Sequence, residues 1–405
     1  MVTLTNPYNP LYACFVTAEI LFLARFLPDG AATPSLHRFQ ALDGLRGFAA
    51  LFVFIHHASI WWGYQRDGVW AVPPSNLYTQ FGQGAVTTFF LLTSFLFWTK
   101  MSQPGRARDW SLFFVNRVAR IVPLYLVATL LLFVVSYIVS PIKKPLETVS
   151  LTDAWHILLF TLGGLPDLFG VRHTFVIDAG VTWTLPYEWA FYLALPALTV
   201  ILRGPFRSYW AAALWIVVLE KLATSYLGWR MLLIFPFGIL VSALVASPKM
   251  RRLQALARAR WGGLLILAIS GWIIWRYQTA YCNGALVGYA LIIFLVASGN
   301  SLFGLLTSQA ARKLGQISYS VYLLQGFLLF GVFSWFSHYG APARRAPFFH
   351  WLLVDWCALA LVLVSTISYR YIESPAIQKG RAWGEALRVR HWDGLTKRQA
   401  QRGEG

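Results

Sequence analysis

The sequence predicts an all-α integral membrane protein, a bundle of about ten transmembrane helices with both termini cytoplasmic. Three observations carry this expectation. Of 405 residues, 57% are hydrophobic and only 12% charged, against roughly a quarter charged in soluble domains. Apolar runs of about 20 residues, the length a helix needs to cross about 30 Å of hydrocarbon, recur along the chain. Between them the basic residues alternate in density, as Lys and Arg do when they collect in cytoplasmic loops. The 19 Trp and 18 Tyr supply interfacial aromatic belts.

In chain order, residues 1–40 form an N-terminal extension. Its apolar stretch, Leu11 to Leu27, is interrupted by Glu19 and Arg25, and no positive charge lies in the first ten residues. An interfacial helix, or an upstream extension of the true start, therefore fits better than a cleaved signal peptide. Ten spans follow at roughly 44–62, 82–100, 119–140, 182–202, 208–226, 230–247, 262–276, 282–298, 317–338 and 350–372. With the N-terminus inside, the inner connections carry Lys100, Arg106, Arg108, Arg117 and Arg120, then Arg203 and Arg207, then Lys249, Arg251, Arg252, Arg258 and Arg260, then Arg312 and Lys313. The outer connections carry far fewer basic residues, and the tail carries several more. Within the longest loop, about 141–181, Trp155 to Leu165 is too short to span and reads as a surface or re-entrant piece. No loop can hold a second soluble domain. Residues 41–376 thus form one membrane domain, and residues 377–405 a basic cytoplasmic tail.

The most informative stretch is LDGLRGFAALFVFIHH, Leu42 to His57. It places an arginine and two histidines in a helix otherwise apolar enough to enter a membrane, where ionisable groups are expensive and mark function by default. At about 100° per residue, the eleven steps from Arg46 to His57 return to within about 20° of one helix face, about 16 Å apart along the axis. The ten steps to His56 miss that face by about 80°. His57 is therefore the better candidate. Glu188, in GVTWTLPYEWAFYLALP, lies about as deep below the outer end of its span as His57 does in its own. A carboxylate at that level suits an imidazole acting as a base. The structural alternative is that the two merely satisfy each other, or a Trp or Tyr, between packed helices.

A second set lies toward the inner surface. Arg117 and Arg120, in FFVNRVARIVPLY, are three residues apart, share a helix face and enter their span near the level of Arg46. Arginine's planar fork suits phosphate oxygens, so the three could hold a polyphosphate-bearing donor. Topological anchoring and anionic headgroups are the plainer alternative. Arg370 and Glu373 are spaced for an i,i+3 ion pair, with Pro375 ending the helix. Asp355 lies inside the last span near the depth of His57, where a role in an acceptor site and a hydrogen bond to a neighbouring Trp are both open.

The net charge of +18 is spread between spans rather than gathered in one patch, so nucleic acid is not an expected partner. Cys14, Cys282 and Cys357 have no CxxC or Cys/His spacing, and no metal is expected. Buried His and Glu at one depth also suit proton coupling in a transporter, although no internal repeat supports that class.

Together these segments resemble acyltransferase family 3, multi-pass membrane O-acyltransferases that modify cell-envelope polysaccharides, over about residues 38–380. Arg46 and His57 match the family's R-x10-H signature, Arg117 and Arg120 its RxxRIxPLY segment, and Trp183 and Glu188 its Trp and Glu-x-x-Phe-Tyr segment. ISYSVYLLQ and YIESP match later motifs. The chain departs at Thr93 and Ser94, where members often have Ser-Gly, at Gln325, where histidine is frequent, and at His56, where an aromatic is common. The resemblance implies transfer of an acyl group, most often acetyl, from acetyl-CoA or another acyl-CoA on the cytoplasmic side to a sugar hydroxyl of an envelope glycan. It implies a bacterial inner membrane, lipids and the glycan acceptor as partners, and envelope-glycan assembly proteins beside it. Arg46, Arg117, Arg120 and Tyr319 would then bind the donor. His57 would deprotonate the acceptor or carry the acyl group, and Glu188 would orient it.

Overall fold

A computed structural model describes residues 5–28, 39–102, 109–142, 150–203, 228–338 and 346–387, together with positions 217 and 221. Among the described residues the secondary structure is helical, with no strand. Helix α1 runs Pro10–Ala24, α2 Gln40–Asp67, α3 Asn76–Met101 and α4 Trp110–Ile138. The short α5, Leu151–Leu158, precedes a looped segment that leads to α6, Leu185–Arg203. Then come α7 Trp229–Ala246, α8 Arg251–Arg258, α9 Arg260–Arg276, α10 Asn283–Ala297, α11 Gln309–His338 and α12 Pro347–Leu387.

Six described helices are long and apolar enough to cross a membrane: α3, α4, α7, α11, α12 and the stretch Val181–Leu202 that contains α6. A seventh arises if α8 and α9, which meet at 85°, count as one broken span. The expected count of ten is not reproduced by length and composition. Helices α1 and α10 are apolar but have only 15 residues each, and α2 is long but more polar than the six. The expected span at 208–226 lies almost wholly outside the described residues.

Helices α2 and α11 run parallel at the centre. A side chain on Gly47 would press on the Gly315 backbone at 2.7 Å, and one on Gly315 would press on the Asp43 carbonyl at 2.1 Å. Small residues thus let the two backbones approach closely, as membrane helices do where no hydrophobic effect drives them together. Farther along, Gln65 donates to the Phe333 carbonyl across the same seam at 3.3 Å.

Helix α1 is not a surface element. It buries the stripe Val16, Ile20 and Ala24, one residue per turn. Its start is fixed where the Trp351 indole donates to the Pro7 carbonyl and Tyr78 Oη donates to the Asn9 carbonyl, each within 2.9 Å. Its end is fixed where Lys313 donates to the Arg25 and Leu27 carbonyls. Helix α1 is therefore antiparallel to α2 and spans the interval between the histidine and arginine levels. The described residues thus begin at the His57 end of the bundle and finish at the Arg46 end. Glu19 of α1 and Asp355 of α12 lie within each other's electrostatic field.

Helix α12 is also longer than expected. A π-turn at Tyr369–Glu373 widens the helix just before Pro375. The wider turn accommodates a proline that has no N–H and whose ring crowds the carbonyl four residues back. The helix continues to Leu387, and its last turns lie against α4, with Gly380 over Ala119 and Gly384 over Leu112.

Candidate active site

Two levels of polar side chains lie along α2. At the lower level, α4 contributes Arg117 and Arg120, α6 Glu188 and Tyr192, α11 Tyr319 and Ser320, and α12 Glu373. Arg120 pairs with Glu373 at 3.0 Å, and Ser320 Oγ donates to the same carboxylate. The Glu373 side chain has no solvent-accessible surface, while Arg120 keeps 26%. The expected Arg370–Glu373 pair does not form. The π-turn changes the residues per turn between them, and the Arg370 guanidinium sits over the Tyr371 ring at 5.7 Å instead.

Tyr192 Oη donates to Glu188 Oε2 at 2.8 Å, and Arg117 lies within hydrogen-bonding reach of the same phenol. A phenol oxygen can accept while it donates, so Tyr192 stands between the Arg117 guanidinium and the Glu188 carboxylate. Arg117 also covers the Phe97 ring at 4.7 Å. Glu188 lies in the field of Arg46, Arg117 and Arg120 together. Asp43 stands 4.0 Å from Arg46. Tyr319 Oη donates to the Ile121 carbonyl at 2.9 Å, and its ring lies 5.9 Å from the Arg120 guanidinium. The structure therefore gathers Arg46, Arg117, Arg120 and Tyr319, with three carboxylates interleaved among the arginines. The arrangement is close to charge-balanced rather than an open basic patch.

The upper level holds His57. Its ring stacks near Trp70, with centroids 6.2 Å apart, and beside His56 at 5.2 Å. Gln325 of α11, fully buried, faces it. His56 points elsewhere: its Nδ1 meets the Tyr78 carbonyl at 2.7 Å, and because a carbonyl only accepts, that nitrogen carries the hydrogen. The separation of the two histidines by helix phase is thus realised as different partners.

Glu188 is not beside His57; among the described residues no hydrogen bond or ion pair joins them. The reason is depth. The turn Val181–Thr184 that opens α6 is held inside the bundle, where Thr184 and the Val181 carbonyl both bond Tyr322 Oη at 3.0 Å. Tyr322 is about one turn below Gln325, and Glu188 about one further turn down, which places the carboxylate about 10 Å below the imidazole level. The loop before it is pinned by Asp178, which accepts from the Gly180 N–H at 2.8 Å and is buried, whereas Arg172 and His173 are exposed. Trp183 packs edge-on against Tyr187.

Sequence reasoning missed the Tyr192 link, although its spacing of four from Glu188 carries the signal. It also missed the Ser320–Glu373–Arg120 set, which joins three helices distant in sequence and has no local signature.

The fold and site define a multi-pass helical membrane protein with a buried guanidinium–carboxylate level below an imidazole. A family model for an acyltransferase domain, that of acyltransferase family 3, matches residues 39–370. The chain belongs to that family. It is similar to the acyltransferase MdmB of Streptomyces mycarofaciens, 32% identical over 190 residues, 44% of each chain. The chain thus spans less than half the length of that relative. No solved structure matches it.

Proposed function

We propose that the chain is a membrane-bound O-acyltransferase that moves an acyl group, acetyl first among them, from acyl-CoA to a sugar hydroxyl of an envelope polysaccharide or its lipid-linked precursor. The observation that carries this reading is the rod of α2, with Arg46 in an arginine level and His57 about 16 Å farther along one helix. A pantetheine arm is long enough to join donor phosphates held at the first to a thioester presented at the second. The protein would lie in a bacterial inner membrane, with the arginine level toward the cytoplasm and the glycan reaching His57 from the other side.

In this scheme Arg46, Arg117, Arg120 and Tyr319 bind the donor. Phosphate oxygens compete there with Glu188 and Glu373 for the guanidinium groups. His57 acts as general base: its unprotonated nitrogen takes the hydroxyl proton as the oxygen attacks the thioester carbonyl. The C–S bond then breaks, and the leaving thiolate takes the proton back from the imidazolium, giving an ester and free thiol. Glu188 acts at the donor end, holding Arg117 through Tyr192.

The test is transfer from labelled acetyl-CoA to envelope glycan by protein in nanodiscs. His57→Ala is expected to abolish transfer while leaving donor binding intact, and Arg117→Ala to raise the donor KM. Equal transfer by His57→Ala would remove the base from the scheme.

A further inference from the structure

We infer that Gln325 is the positioning residue of His57, holding the imidazole with its hydrogen on Nδ1 so that Nε2 is free to take a proton. The inference rests on the general-base reading of His57 above. The Gln325 side-chain nitrogen donates to the Tyr322 carbonyl at 3.0 Å. A carbonyl oxygen cannot donate, so the amide cannot be reversed, and its oxygen is left to face away from Tyr322. That oxygen is buried and makes no hydrogen bond of full geometry; neither does His57 Nδ1, also buried. The register of the α2–α11 seam, Gly47 on Gly315 and Gln65 on Phe333, puts position 325 opposite position 57, and the two side chains come within reach of one another there. Leaving two buried atoms of complementary character unpaired is costly, and a hydrogen bond between them would satisfy both. Because the amide oxygen only accepts, the imidazole must donate, and the tautomer follows.

Other groups are committed elsewhere. Glu188 holds Tyr192, and His56 donates to Tyr78. The turn that carries Gln325 is clamped on both sides, by Tyr322 bonding the Val181 carbonyl and by Gly326 lying against the Asp178 backbone. The backbone beneath the amide is thereby held, and the bond to the Tyr322 carbonyl orients the amide itself. A neutral amide orients the base without adding the charge that a carboxylate partner would supply.

Selective 15N-histidine labelling in nanodiscs, with His57 assigned by its loss in His57→Ala, tests the tautomer directly. The wild type is expected to show Nδ1–H at His57, and Gln325→Met, of similar length but without the acceptor, to lose that preference. In the transfer assay Gln325→Met is expected to lower kcat by at least about 10-fold, part of what a positioned base contributes. Gln325→Glu, which keeps an acceptor oxygen, should recover some of that loss. An unchanged Nδ1–H signal in Gln325→Met, or equal loss of kcat in both variants, would overturn the inference. If the wild type transfers no acyl group, the proposed function fails, while the nitrogen spectrum still decides the assignment of Gln325.

Discussion

The buried pair Arg120–Glu373 should respond asymmetrically to removal of its two members. At 3.0 Å, Coulomb's law with an effective dielectric of about 20 gives about 5.5 kcal/mol of attraction, before the cost of desolvating both ions is subtracted. Arg120→Ala leaves a carboxylate with no accessible surface and only Ser320 to hold it, so a loss of about 3 kcal/mol is expected. Glu373→Ala leaves a guanidinium that is 26% exposed and can turn toward water or headgroups, so about 1–2 kcal/mol is expected. Because the double variant strands neither charge, it should be more stable than Arg120→Ala alone, with a coupling of about 2 kcal/mol. Reversible unfolding in mixed micelles, read as a double-mutant cycle, measures all three. Additive losses, or a larger loss from Glu373→Ala, would refute this account of the pair.

Two further outcomes follow from packing. Gly326→Ala places a methyl 2.1 Å from the Asp178 backbone carbon; because backbone and not a side-chain tip must yield, a loss of about 2 kcal/mol or more is expected, with weaker transfer. A melting curve equal to wild type would show the loop is not seated there. Cysteine labelling near Tyr8 and near Trp383 should report opposite faces of the membrane, since α1 runs antiparallel to α2; labelling from one face only would remove α1 from the bundle.

Much of the site was legible in the sequence because it lies on single helices. The 100° step puts His57 rather than His56 on the helix face of Arg46, and the three-residue step groups Arg117 with Arg120. These are intrahelical facts, fixed by a geometry every helix shares. What failed depended on register between helices. Glu188 was expected level with His57 by counting residues from the outer end of each span, but the turn before α6 bonds Tyr322, about one turn below Gln325. Arg370 was expected to pair with Glu373, but a π-turn alters the period on which that pairing relies. Residues 1–40 were expected to form an extension with an interfacial helix, but α1 packs into the bundle through contacts with Tyr78, Lys313 and Trp351 that no local pattern encodes.

The sequence alone determined that this is a helical membrane protein, where its main helices lie, and the family to which it belongs. Hydrocarbon length and helical period act locally and leave marks in composition and spacing. Only the tertiary structure decided that Glu373 rather than Arg370 answers Arg120, that Glu188 sits with the arginines, and that Gln325 faces His57. Those pairings are set by how far one helix slides against another, through close glycine contacts such as Gly47 on Gly315 and Gly326 on Asp178. A sequence written along one chain carries no measure of that offset.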